Sequence, residues 1–429
     1  MAPAAISSAI FLIVLVAILL ERGDRTIVAI GGAATMVTAG LVLGYYDEQQ
    51  ALEAIDFSTL GLLLGMMILV SLLKPTGLFE VLAVWTARVS RGHPALLLVL
   101  LGVVAAFLSM ILDNVTTVVL LAPLTILIAE VLSISAIPLL LAEALLSNVG
   151  GVATLIGDPP NILIASASGL SFNAFLTHSL PVVLLVVPIV IGLVLLVFRR
   201  SLIRTGDAAK ALRGFRPEEA WNDRTTARRV VVVLGAALAL FLLQDSLHLT
   251  PAYIALSMAA VALVWTQPPV DDFLKRIDWQ VLLFFAALFV IVGGLEASGV
   301  LESLAAGLAG RLAESGPGSA VIVLWATAVA AALVDNVPIT AAMIPIIIGL
   351  GERGINAAPL WWALAFGVGF GGNGTIIGST AGIIVAEISS KTPTRITGRT
   401  WMRIGPAALI LACAIASLVF LLAYPFFSR

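Results

Sequence analysis

Twelve apolar runs leave this chain few ways to fold. They cover 4–20, 26–44, 57–73, 95–131, 137–168, 178–198, 229–245, 251–267, 279–295, 319–349, 358–390 and 402–424. A helix rises about 1.5 Å per residue and needs about 20 apolar residues to cross a bilayer. The chain therefore reads as an all-α polytopic membrane protein. Composition agrees: 60% of the 429 residues are hydrophobic and 11% charged, against about 25% charged in a soluble domain. The first run has no basic flank and reads as a spanning helix rather than a cleaved signal peptide. One cysteine, Cys413, excludes an internal disulfide and any thiol metal cluster. It reads as a small apolar packing residue.

Four runs are interrupted by polar residues. Runs 95–131 and 319–349 carry LDNVTT (112–117) and VDNVPIT (334–340) at their centres and read as re-entrant hairpins. Runs 137–168 and 358–390 carry GDPPN (157–161) and GGNGTIIGSTAG (371–382) and read as broken spanning helices. That makes ten spans and two hairpins.

The chain also repeats itself at an offset of 222 residues. Asp56 matches Asp278, Gly77 matches Gly299, Glu80 matches Glu302, Asp113-Asn114-Val115 matches Asp335-Asn336-Val337, and Pro123 matches Pro345. With a one-residue gap, Gly150-Gly151, Thr154 and Gly157 match Gly371-Gly372, Thr375 and Gly378. A constant offset over separate segments argues for duplication. Repeat 1 is 1–198 and repeat 2 is 229–429, joined by a basic linker at 199–228. Five spans per repeat is an odd number, so the second copy must be inverted in the membrane.

Twenty of the 23 Lys and Arg residues fall in the odd-numbered loops, including Arg22 and Arg25. This places those loops in the cytoplasm and both termini outside it. The expected location is the inner (plasma) membrane of a prokaryote. The linker reads first as a connector, and second as a surface for anionic lipid or a partner.

Non-helical backbone inside a membrane must be buried in protein or line a wet cavity. Half-helix ends there present free N–H and C=O groups to a small polar solute or ion. Pro159 pushes Asp158 out of the α region, with Asn161 just past the prolines. Glycines loosen the second break around Asn373, Thr375, Ser379 and Thr380. Asp113 and Asp335 each precede a hairpin's second helix and suit N-capping. A carboxylate near the midplane nevertheless costs about 2.5–3.5 kcal/mol, which capping alone does not require. Asp113, Asp158, Asp335 and Glu143 are thus the candidates for carrying a proton or coupling ion, with a hydrogen-bonded structural glutamic acid as the alternative for Glu143. No Lys or Arg within the apolar segments offsets the two tip carboxylates.

LDNVTTVVLLAP followed by EALLSNVGGVATLIGDPPNILIAS, with DNVPIT and GGNGTIIGST in the second half, resembles the ArsB/NhaD/P-permease branch of the ion transporter superfamily. Within that branch the chain looks most like an ArsB-type arsenite/antimonite efflux carrier. The resemblance implies an elevator-type fold with a scaffold at 4–73 plus 229–295 and a transport domain at 95–198 plus 319–424. It implies a site between the tips and breaks, at Asp113–Thr117, Thr154–Asn161, Asp335–Thr340 and Asn373–Thr380. Carboxylate-carrying relatives have a Ser-Asn-Thr type motif where this chain has Asp at both tips. Repulsion between carboxylates then favours a neutral solute or a cation. Arsenite would be recognised by Asn114, Thr116, Thr117, Asn148, Thr154, Asn161, Asn336, Thr340, Asn373, Thr375 and Ser379, without thiols. The expected function is proton-coupled arsenite efflux by a secondary transporter and not an enzyme. The alternative is a Na⁺/H⁺ antiporter of the NhaD type, with a carboxylate carrier or a membrane anchor for a soluble ATPase ranked lower. The resemblance also implies a homodimer and a cytoplasmic ATPase as candidate partners. Beyond these the bilayer and a small inorganic solute are expected, with no nucleic acid and no cofactor other than the coupling proton or Na⁺.

Overall fold

The computed structural model describes residues 2–19, 23–202, 217–312, 316–390 and 395–428. The centre of the basic linker, 203–216, lies outside the described residues, as do Arg22 and Lys391 of the cytoplasmic charge pattern. Among the described residues there is helix and no strand.

The helices of the first half are α1 (Ala2–Leu19), α2 (Arg25–Leu43), α3 (Glu48–Glu53), α4 (Phe57–Leu73), α5 (Leu78–Val89), α6 (Pro94–Ser109), α7 (Asn114–Val131), α8 (Ile137–Gly151), α9 (Pro159–Ser168) and α10 (Phe172–Phe198). Those of the second are α11 (Arg224–Leu247), α12 (Pro251–Thr266), α13 (Val270–Leu274), α14 (Trp279–Ala297), α15 (Val300–Leu312), α16 (Pro317–Leu333), α17 (Asn336–Glu352), α18 (Ala358–Gly371), α19 (Thr380–Ser390), α20 (Gly398–Trp401) and α21 (Gly405–Phe427). Seven segments among the described residues are long and apolar enough to cross a membrane: 25–43, 57–76, 114–131, 172–198, 224–247, 279–297 and 398–427. The protein is an all-α, multi-span membrane protein embedded in lipid.

Two of the pairs that match at the offset do the same local work in both halves. Asp56 accepts from the Ser58 and Thr59 backbone N–H groups to cap α4, and Asp278 accepts from Val281 to cap α14. Gly77 and Gly299 both take positive φ, 86° and 77°, where a side chain would be strained, and each turns the chain into the next helix. Those helices, α5 and α15, are not among the expected apolar runs. Both are short, and α5 carries Glu80, Arg88 and apolar residues on one turn-wise pattern that a search for long apolar runs passes over.

Glycine also sets the closest packing. A Cβ on Gly150 of α8 would lie 2.2 Å from the carbonyl oxygen of Ala106 on α6. A Cβ on Gly371 of α18 would lie 2.6 Å from that of Ala328 on α16. Backbone thus meets backbone where each hairpin's first helix lies along the broken helix of the same half. Across the halves, α2 packs on α14, α4 on α12, α7 on α19 and α9 on α17. The last two contacts bring the polar interruptions together.

Candidate transport site

The four interruptions are all extended backbone between helices. Asp113 (φ −171°, ψ 165°) opens α7, and Asp158 (φ −149°, ψ 134°) opens α9 ahead of Pro159-Pro160. Asp335 (φ −50°, ψ 142°) opens α17, and Thr375 (φ −134°, ψ 167°) and Ser379 (φ −147°, ψ 144°) flank a short 3₁₀ turn before α19.

Two threonines brace the tips. Thr154 donates to the Met110 carbonyl at 2.5 Å, and Thr375 donates to the Ala332 carbonyl at 2.5 Å. Asn161 holds the first break shut on itself, donating to the carbonyls of Gly151 (3.0 Å) and Thr154 (2.8 Å). These three side chains therefore spend their donors on backbone.

A chain of amides crosses between the halves. Asn114 Nδ2 donates to Asn148 Oδ1 at 3.0 Å. Asn148 Nδ2 donates to Asn373 Oδ1 and Ser379 Oγ, both at 2.9 Å. Asn373 donates onward to the Leu145 carbonyl, and its own carbonyl accepts from Trp401 Nε1. Asn114, Asn148, Asn373 and Ser379 are all buried.

The two tip aspartates behave differently despite their matched positions. Asp113 accepts from the Thr116 backbone N–H at 2.6 Å and caps α7. Asp335 makes no capping bond to α17. Its Oδ2 accepts from Arg25 at 3.0 Å and from Thr380 Oγ1 at 3.2 Å, while Oδ1 is buried without a partner. Arg25 also donates to Thr380 Oγ1 at 2.8 Å and lies 5.6 Å from the Phe284 ring centroid. The expectation named only Lys and Arg within the apolar segments; Arg25, one residue before the run 26–44, offsets the second tip. Arg25 sits at the start of α2, and its side chain is long enough to reach the second tip.

Asp158 is 2% exposed, and Asn336 from the opposite tip donates to its Oδ2 at 3.2 Å. No cation pairs with it among the described residues. A cavity of about 40 Å³ lies among Asn114, Asp158, Asn336, Thr380 and Arg25. A larger one, about 650 Å³, is lined by Asp113, Thr116, Arg25, Lys74, Lys275 and Arg276 among others.

The remaining candidates stand apart from this cluster. Thr340 bonds the carbonyl of Asn336 within its own helix. The Thr117 hydroxyl is buried and has no partner. Glu143 is fully buried further along α8, where Thr125 donates to one oxygen and the other has no partner. Sequence reasoning missed Arg25, whose partners on the second tip and second break lie more than 300 residues away.

The citrate transporter family, CitMHS, matches residues 15–367. A "46 kDa membrane protein" of Mycobacterium leprae is 36% identical over 98% of both chains. The P protein of Homo sapiens is 31% identical over 98% of this chain and 60% of its own. A crystal structure of the Alcanivorax borkumensis YdaH transporter superposes with a TM-score of 0.56 over 99% of both chains at 17% identity, which speaks for the fold alone. These matches correct the assignment to the ArsB/NhaD/P-permease branch as an ArsB-type carrier, and with it arsenite efflux and arsenical resistance. Full-length bacterial relatives and the multi-pass architecture support a prokaryotic inner-membrane location. The protein is a secondary-active, ion- or solute-coupled membrane transporter rather than an enzyme, and it belongs to the CitMHS citrate-transporter family.

Proposed function

We propose that the carrier exchanges protons for a small monovalent cation such as Na⁺, with Asp158 as the central coupling group. The observation that carries this reading is the state of the Asp158 carboxylate. It is buried on extended backbone between two half-helices, with one amide donor and no cation partner. A charge kept at that cost inside a membrane serves an ion or a proton. Asp113 sits at the neighbouring tip facing the larger cavity and is its natural second ligand. The helix order repeated in the two halves supports reading them as inverted repeats, with α1–α4 and α11–α14 as scaffold and the hairpins and broken helices as the moving unit. Proteoliposomes holding the full chain and a pH-sensitive dye test the proposal. A Na⁺ gradient is expected to drive proton movement, and Asp158→Asn to lower the rate about 100-fold, the scale of losing a positioned proton-transfer group. Proton movement unchanged in Asp158→Asn would sink this assignment.

A second reading is favoured by the charge of the larger cavity. Arg25, Lys74, Lys275 and Arg276 line it against Asp113 and Asp278, and its volume of about 650 Å³ suits an organic anion. Carboxylate uptake coupled to protons or Na⁺ fits that lining. Radiolabelled citrate and dicarboxylates in the same vesicles separate the two readings: uptake that requires them favours the second, and Na⁺-driven proton flux without them the first.

A further inference from the structure

The two halves of the site carry matched aspartates in unmatched states. Asp113 is bound to the N-terminus of its own helix. Asp335 has left its helix uncapped and is bound to Arg25, which belongs to α2. Arg25 also grips Thr380, the first residue of α19. One guanidinium therefore ties the start of α2 to the second tip and to the second broken helix. Both bonds come from one guanidinium nitrogen, Nη1, so the carboxylate and the hydroxyl share a single donor group. The ring of Phe284 on α14 is close enough to contribute to holding it there. The second oxygen of Asp335 is buried and without a partner, so the carboxylate has acceptor capacity that the protein itself leaves unused.

We propose that Arg25 is a positioning residue that acts as a tethered cation at Asp335 and is displaced when the transported cation or proton neutralises that carboxylate. This rests on the exchange reading above and adds to its Asp158 and Asp113 a third carboxylate, Asp335, held by an internal counter-ion. While Arg25 is engaged, the second tip is held against α2 and α14, and the 650 Å³ cavity stays in its present shape. When Asp335 is neutralised, the tie between α2 and the tip loses its charge and the moving segments are released. A plain structural salt bridge would add stability without making the shape of the cavity depend on the ion.

The test uses the full chain in detergent with Met67→Cys as reporter and Cys413→Ala as background. Met67 lines the larger cavity, and Cys413 is buried and unpaired. Without added Na⁺ at neutral pH, the reporter is expected to react readily with a water-soluble maleimide. Arg25→Gln and Asp335→Asn break the tie from opposite ends, and each is expected to slow labelling about five-fold, the effect of losing a partly buried ion pair. The double variant should be no slower than either single one. Added Na⁺ at constant pH should slow the parent toward the variants and leave the variants unchanged. Arg25→Lys keeps the charge on a shorter side chain and should fall between. Labelling of either folded single variant at the parent rate overturns the proposal, as does a parent with ion-driven flux whose labelling ignores added Na⁺. Flux is measured on the same preparations in liposomes. A failure of the exchange reading thus shows as absent flux, while the labelling comparison still decides the tie.

Discussion

Asn148 concentrates the polar problem of the site in one side chain. Its oxygen accepts from the first tip and its nitrogen donates to two groups of the second break, so three segments depend on one amide. Removing it leaves buried donors and acceptors without partners, each costing about 1–3 kcal/mol. Asn148→Ala is expected to lower the unfolding temperature clearly in detergent and to abolish transport. Thr340→Val is the contrast, because that hydroxyl bonds only its own helix. It should cost less than about 1 kcal/mol and leave transport close to the parent's. Thermal unfolding of both variants checks the difference. An equal loss in the two would show that the amide chain is not what holds the segments together. The types of the site residues were legible in the sequence, because amides and carboxylates in apolar runs have few other uses. Their division of labour was not. Nothing in the spacing says that Thr154, Thr375 and Asn161 bind backbone while Asn114, Asn148, Asn373 and Ser379 bind one another across more than 200 residues. Arg25 was hidden for the same reason, since its partner is 310 positions away and its flanks read as an ordinary basic loop.

At the scale of helices, the contacts that place the interruptions are made by glycine. Gly150 and Gly371 let α8 and α18 lie against the backbones of α6 and α16. The breaks and tips hang from those two seams, so a seam forced open by a fraction of an ångström moves the tips as well. Gly150→Val should destabilise the protein by about 1–3 kcal/mol through overpacking and should lower transport more than its stability loss explains. Gly192 of α10 makes the comparison, since a Cβ there meets nothing within 4 Å. Gly192→Ala removes backbone freedom at no steric cost and should stabilise the helix by up to about 1 kcal/mol. Melting temperatures measured beside transport rates separate the two effects. If Gly150→Val melts like the parent and transports normally, the close seam is incidental. The match of Gly150-Gly151 with Gly371-Gly372, one residue off the main offset, pointed to these paired glycines. The amphipathic helices α5 and α15 escaped, because they are too short and too charged to register as apolar runs.

At the scale of the whole molecule, neither half contains a complete site. The amide chain needs Asn114 and Asn148 from the first half and Asn373 and Ser379 from the second. Asp158 needs Asn336, and Asp335 needs Arg25. The apolar contacts follow the same rule, with α2 on α14, α4 on α12, α7 on α19 and α9 on α17. The covalent link between the halves is by contrast a polar stretch. On its far side Asn222 and Asp223 donate from their backbone N–H groups to the Thr76 carbonyl, so the second half docks on the first before α11 begins. Association should then depend on the buried surfaces rather than on the linker, whose closure adds only a loop entropy that grows slowly with length. A chain cut within 203–216 and produced as two fragments in one cell should reassemble. A tag on the first fragment should recover the second in detergent at near-equal amount, and the pair should keep most of the parent's transport. Each fragment alone should be cleared by proteolysis, because it would expose to lipid the amides and carboxylates that the other half satisfies. Accumulation of either fragment alone as a stable, monodisperse species would mean that each half buries its own polar groups, and the site would have to be redrawn within one repeat.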